Sequence, residues 1–340
     1  NYYHIVIKTY LFSIIFSLSL LSKYSSSENL NLFSARQEVL MREIIKKFEE
    51  KENIKVNIIS AKANQLINKI EMEGEYTKAD VLLTVDISRL LDAKNKNLFR
   101  KVYSKILSRD IPVQYRDKEN FWFGFSLRSR IFVYHQERVS TNELKGYIDL
   151  MEKKWRNRIL IRSSNNVYNQ SLVSAMISKY GEDNTRKFLN NFKNNFSRSP
   201  SGGDRDQIRA VIAGEGDLAV VNSYYYIKIK KDDKENNLKD LKIHFPSDNI
   251  MKTHMNVSGA GIIKYSKNYN NALKFLEYLA SNEAQKLYAE LNFEYPVRED
   301  IKLSKFMSSY KAYEKDDLNL NKIADHNKKA LFMMGEAGWK

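Results

Sequence analysis

The segment Val220–Lys231, VVNSYYYIKIKK, sets Tyr224, Tyr225 and Tyr226 side by side directly behind Asn222 and Ser223. On a strand, successive side chains point to opposite faces, so neighbouring phenols cannot serve one target. In the first turn of a helix, neighbours point about 100° apart, and two phenols can lean into the same space. Asn222 or Ser223 supplies a cap for such a helix after the apolar strand predicted over Asp217–Val221. The chain therefore leaves strand geometry at the tyrosines. A phenol normally keeps its proton, with a pKa near about 10, but a highly charged cation ionises its ligands at neutral pH. Three phenolates would cancel the charge of one hard trivalent ion such as Fe3+. Tyr168, in SSNNVYNQSL, offers the third phenol from a predicted turn between a strand and a helix, and Tyr226 is assigned to packing or surface. A guanidinium close by would let a small anion such as carbonate complete the coordination shell, and Arg36 and Arg128 are placed to supply one.

The same residues also carry a plainer reading. The chain has 21 tyrosines, and aromatic pairs commonly pack cores or rim apolar pockets. Other chemistries lack their residues altogether. There is no cysteine, which excludes disulfides, thiolate metal sites, cysteine nucleophiles and an N-terminal lipid-modified cysteine. The sequence holds no HExxH, no paired histidines at helical spacing and no glycine-rich phosphate loop ending in Lys-Ser/Thr. His135, His244, His254 and His326 stand singly and read as structural. Nothing pairs a nucleophile with a base, so an enzyme is not expected.

The first 27 residues read as a signal peptide. Lys8 precedes the apolar run Tyr10–Leu21, and the small residues Ser25 and Ser27 suit cleavage before Glu28. The run is too short for the ~20 residues of a membrane span and fits a secretory core segment. The expected location is therefore the periplasm. The formal charge of +15 falls by two, to +13, when Lys8 and Lys23 leave. The remaining lysines spread along the whole chain among many Asn and Ile, without a basic stripe, so nucleic acid is not an expected partner.

From Asn29 onward, short apolar strands alternate with amphipathic helices. The predicted order is a strand at Leu30–Phe33, a helix at Gln37–Glu52 capped by Ser34, a strand at Ile54–Ser60, a helix at Ala63–Glu73, and a buried strand at Ala79–Asp86. This β-α-β-α-β order implies a parallel sheet. The pattern restarts with Phe121–His135, long enough to pass from one lobe into another. A strand at Arg158–Ser163 and helices at Asn169–Tyr180, Asp183–Asn191 and Asp206–Ala213 follow. His254–Lys264 is a second candidate crossing, with helices at Asn271–Leu279 and Asn282–Leu291 and more helix to the end. Two α/β lobes joined by two crossing strands form a clamshell, which holds a ligand by hinge closure at the inner strand ends.

With these residues assembled, the chain resembles the periplasmic ferric-iron-binding proteins of ABC-type uptake systems, especially their cyanobacterial-type branch. The resemblance is carried by NLFSARQE, IKVNIISAKANQLINKI, ADVLLTVDISRL, WFGFSLRSR, RILIRSSNNVYNQSLV, GEGDLAVVNSYY, THMNVSGAGIIK, NFEYPV and GEAGWK, and runs from about Asn29 to Lys340. It implies an α/β, class II-like two-lobed periplasmic binding fold, with 28–126 plus 252–300 as the N-terminal lobe and 127–251 plus 301–340 as the C-terminal lobe. It further implies a monomer that holds one Fe3+ between the lobes and delivers it to an inner-membrane permease with its ATPase. The family's metal tyrosines fall on Tyr168, Tyr224 and Tyr225, and its anion-binding or supporting arginines fall on Arg36 and Arg128. Many members carry His-Tyr after the first arginine, where this chain has Gln37-Glu38, so Glu38 is a further candidate ligand. The competing expectation is a clamshell for an organic solute such as a polyamine or a sugar.

Overall fold

The computed structural model describes residues 28–311, 314–317 and 320–340; the predicted signal peptide lies outside the described residues. The chain begins β1 (Glu28–Ser34), α1 (Glu38–Glu52), β2 (Ile54–Ser60), α2 (Ala63–Glu73), β3 (Val81–Thr84), α3 (Ile87–Asn95) and α4 (Lys105–Asp110). Strands β1, β2 and β3 pair in parallel, in the order β2-β1-β3, as the alternating pattern requires. Helix α1 turns Met41, Ile44, Ile45 and Phe48 inward at helical spacing. Ser34 does not cap it: the cap position is Gln37, without a side-chain bond, and the Ser34 hydroxyl instead accepts the Arg36 amide at 3.1 Å. The buried strand ends at Thr84, because Asp86 leaves it to cap α3 through the Ser88 amide at 2.8 Å.

Strand β4 (Phe123–His135) organises the whole molecule. Its first half, Phe123–Ser129, pairs antiparallel with β8 (Met255–Ile262), which in turn pairs with β3. Its second half, Arg130–His135, pairs antiparallel with β6 (Leu218–Asn222) and β7 (Leu241–His244). Strand β5, a short Ile159–Leu160, runs parallel to β6, and β9 (Tyr295–Pro296) pairs with β4 at Ser126 and Leu127. One long strand thus belongs to two groups of strands, as its length predicts. Strand β8 starts where β4 changes partners, so the second passage between the groups is made by residues 245–254 before it. Gly259 lies on β8 because a Cβ there would meet the Phe123 carbonyl oxygen at 2.5 Å.

The second group is wrapped by α5 (Val167–Tyr180), α6 (Glu182–Phe192), α7 (Asp204–Ile212) and α8 (Ser223–Asp232). Ile131, Val133, Ala219 and Val221 pack there against Ile208 and Val211. Later come α9 (Tyr269–Leu279), α10 (Asn282–Asn292), α11 (Lys305–Ser308), α12 (Leu320–Asp325) and α13 (Asn327–Glu336). Helix α12 packs against both α3 and α5, and α13 covers α5, so α5 is buried along nearly all its length. No helix among the described residues is long and apolar enough to cross a membrane.

Candidate metal site

The structure places the three candidate tyrosines at the starts of two helices. Tyr168 is the second residue of α5, not a turn residue as its Asn- and Ser-rich surroundings predict. Asn166 caps the helix, its side chain accepting the Asn169 amide at 3.3 Å. Tyr224 and Tyr225 sit in the first turn of α8, immediately after β6. Their rings lie 4.1 Å apart at 32°, so both lean the same way as the helical geometry predicts. Tyr226 turns elsewhere: its hydroxyl donates to the Leu241 carbonyl at 3.2 Å and its ring meets Tyr310 edge-on.

One buried guanidinium fixes these two helix starts relative to each other. Arg130, on β4, donates to Asn169 Oδ1 at 2.5 Å, to Asn222 Oδ1 at 3.2 Å and to Asp204 Oδ2 at 2.9 Å. Asn169 follows Tyr168 in sequence, and Asn222 precedes Tyr224 by two positions. Asp204, the first residue of α7, also accepts the Asn222 amide at 2.7 Å. The tyrosine backbones are therefore tied to one charged centre with little freedom to drift. A second tie reaches across to the first strand group: the Ser171 hydroxyl, one turn along α5 from Tyr168, donates to Asp86 at 2.6 Å. Asn256 donates to the same carboxylate oxygen at 2.5 Å.

The three phenols act on one another electrically. Burial pushes the Tyr224 phenol well above its usual range, the nearby charges of Tyr168 and Tyr225 push it further, and Arg128 pulls it back. Tyr225 is likewise raised by burial and by Tyr168, while a hydrogen bond from Tyr224 works against the rise. The Arg128 guanidinium lies 5.2 Å from the Tyr168 ring centre, and that of Arg205 lies 5.4 Å from the Tyr225 ring centre. Two other buried tyrosines commit their hydroxyls to carbonyls: Tyr147 donates to the Arg130 carbonyl at 2.6 Å, and Tyr295 to the Tyr310 carbonyl. Among the described residues, no carbonyl or carboxylate takes the hydroxyl of Tyr168, Tyr224 or Tyr225 in that way.

Arg36 and Arg128 are both buried behind the tyrosines, and Arg36 stands close enough to Tyr224 for their charges to interact. Arg36 is paired with Glu294 through both of its terminal nitrogens, one contact at 3.1 Å. Arg128 donates to the Val85 carbonyl and to the Ser258 hydroxyl, the latter at 3.1 Å. Glu294 went unnoticed in the sequence, although an acidic residue between Phe293 and Tyr295 in the apolar run NFEYPV is itself a sign of a buried charge. Arg130, Asp204 and Arg205 were also missed, for want of any local spacing that links them to the tyrosines. Glu38 is exposed at the first position of α1, where it favours the helix dipole. It is not among the groups that dominate the electrostatics of Tyr224 or Tyr225. Among the described residues, no group of three or more His, Asp or Glu is arranged to hold a metal ion.

Known proteins match most of the length of the chain. The family described as bacterial extracellular solute-binding protein matches residues 43–315. The chain is 38% identical to iron uptake protein A1 of Synechocystis over 316 residues, covering 92% of this chain and 88% of that protein. Among solved structures, it is similar to the Trichodesmium protein IdiA (FutA) in complex with iron and citrate, with a TM-score of 0.86 and 37% identity. That match covers 92% of this chain and all of the other. It is also similar to the apo ferric ion-binding protein A of Pasteurella haemolytica, with a TM-score of 0.87, 41% identity and 92% and 98% of the two chains covered. The two groups of strands sharing β4 are accordingly the two lobes of a periplasmic binding fold.

Proposed function

We propose that this chain, which belongs to the bacterial extracellular solute-binding protein family, is the ferric-iron-binding component of an ABC-type uptake system. It takes one Fe3+ between its lobes and hands it to an inner-membrane permease driven by an ATPase. Tyr168, Tyr224 and Tyr225 ligate the ion as phenolates, whose three negative charges balance it. The observation that carries this reading is the gathering of three phenols at two helix starts with no carbonyl or carboxylate taking their hydroxyls among the described residues. Carboxylates or thiolates do not compete, for the first are engaged in ion pairs nearby and the second do not exist in the chain.

The lobes divide at β4: residues 28–126 with 252–300 form one, and 127–251 with 301–340 the other. Both tyrosine-bearing helices belong to the second lobe, while Arg36 reaches the site from the first. A small anion such as carbonate, or a carboxylate such as the citrate bound with iron in the Trichodesmium protein, fills coordination positions left by the tyrosines. Glu38 is the anionic side chain of the substituted Gln37-Glu38 pair and the candidate there for adding an oxygen from the first lobe. The protein works as an exported monomer and performs no catalysis.

Adding ferric iron to the purified protein gives an intense visible band from phenolate-to-iron charge transfer and a rise in the unfolding temperature. A polyamine or a sugar gives no such rise. A protein that develops no band with iron and is stabilised by an organic solute belongs to a different branch of the family.

A further inference from the structure

Glu294 is a fully buried charge near the site and serves two guanidiniums at once. Its two oxygens face the two terminal nitrogens of Arg36, and Arg128 Nη1 lies 4.0 Å away. The Ser126 hydroxyl donates to the same carboxylate. Ser258 closes the group, its hydroxyl 2.8 Å from Arg36 Nη1 and 3.1 Å from Arg128 Nη2. All five side chains are buried. Arg36 and Arg128 hold Glu294 below the usual carboxylate range although burial alone would raise it. It is therefore a charged partner and not a neutral acid.

We propose that Glu294 is a positioning residue of the metal site, which clamps Arg36 into a fixed wall behind the tyrosines and withholds it from exogenous anions. This rests on the iron reading above. The geometric argument is one of donors. A guanidinium offers five N–H groups in a planar fork, and it binds an anion best when two of them point at it together. Both terminal nitrogens of Arg36 are committed to Glu294, Ser126 and Ser258. Only Nε lacks a partner, so a second carboxylate cannot take the fork without displacing the first.

The argument from charge runs the same way. Two guanidiniums and one carboxylate leave a single net positive charge behind three phenols. Fe3+ with three phenolates is neutral, so one positive charge is what the wall shows to an incoming anion. Without Glu294 the wall would show two, in surroundings of low polarity where each counts for far more than in water. Glu294 thereby sets how strongly metal loading depends on a carboxylate anion, and it keeps that dependence weak.

The test compares the full mature protein with Glu294→Gln and with the double variant Arg36→Gln/Glu294→Gln. Fe3+ affinity is measured by chelator competition across a citrate series at fixed pH, with the visible band as the second readout. In the wild type, citrate changes the apparent affinity by less than about threefold, the scale of one weak hydrogen bond. In Glu294→Gln the same series raises it by at least about tenfold, the scale of one charge-assisted pair. The double variant removes the freed guanidinium and returns to the wild-type response. Should Glu294→Gln not fold, Glu294→Asp carries the test, since its shorter side chain gives up one contact with Arg36 and should raise the citrate response at least about threefold. Equal citrate dependence in the wild type and the variant, with the band present in both, overturns the proposal. A wild type without any band overturns the iron reading, and this inference falls with it.

Discussion

Replacing the three consecutive tyrosines one at a time by phenylalanine separates ligand from scaffold within a single helical turn. Tyr224 and Tyr226 lie two residues apart, about 200° around the helix, and so serve opposite purposes. Tyr226→Phe removes a hydroxyl that donates to the Leu241 carbonyl at 3.2 Å. That change costs about 1 kcal/mol of folding stability and leaves the iron site alone. Tyr224→Phe removes a hydroxyl bonded only to its neighbour Tyr225, so the apo protein keeps its stability to within about 0.5 kcal/mol. The iron complex pays instead. One unit charge lost a few ångströms from another, at an effective dielectric of about 20, is worth about 4 kcal/mol, or about a thousandfold in affinity. This is a lower bound, because the ion carries three charges. One chromophore of three disappears as well, so the charge-transfer band falls by about a third. The assay is a ferric titration followed in the visible, paired with urea unfolding of each apo variant. A Tyr226→Phe variant that loses the band as much as Tyr224→Phe and Tyr225→Phe would refute the reasoning. So would a Tyr224→Phe variant that loses nothing.

Three other expectations follow from the same geometry. The Tyr224 and Tyr225 phenols are raised above their usual range, so both are protonated in the apo protein at neutral pH and must release protons to ligate. Apparent iron affinity therefore falls by at least about 100-fold per unit drop in pH, measurable as proton release on iron binding in calorimetry with buffers of different ionisation heat. Burial lowers His254 from 6.5 to about 4, against the opposing charges of Asp316 and Asp86 and with the help of Arg130. Because the unfolded chain binds this proton more readily, stability contributed at neutral pH is lost as pH falls from about 6.5 to 4, by up to about 3 kcal/mol. His254→Gln should flatten that part of the stability profile in urea unfolding. Arg130→Met leaves the buried Asp204 with only the longer Arg162 pair at 3.5 Å and should cost about 3 kcal/mol, with a parallel loss of iron affinity as the helix starts move; Arg130→Met/Asp204→Asn should recover much of the stability but not the affinity.

What was legible in the sequence is what rests on local periodicity. The alternation of strand and helix from β1 to β3 follows from burial patterns within each segment, and the length of β4 announces its double membership. The Tyr224-Tyr225 pair was legible for the same reason, since three adjacent phenols after an apolar strand fit a helix start and not a strand. Tyr168 was placed one element early, because Ser164, Asn165 and Asn166 read as a turn although Asn166 is in fact a cap. Strand β5 shrank to two residues where the six-residue segment Arg158–Ser163 suggested more, as it pairs along β6 and on its other side meets only an isolated bridge at Phe196. The charge partners were out of reach. Arg36 and Glu294 lie 258 residues apart, and no spacing rule connects residues that meet only through tertiary folding. The same holds for Arg130 with Asp204, a pair whose meaning appears only once β4, β6 and the two helix starts are side by side.

The most direct test of the central claim is a crystal structure of the iron-loaded protein with data collected at the iron absorption edge. The account predicts a single anomalous peak between the lobes, in direct coordination with the hydroxyl oxygens of Tyr168, Tyr224 and Tyr225 together. A peak bound by carboxylates elsewhere, or touching no more than one of the three phenols, would contradict it.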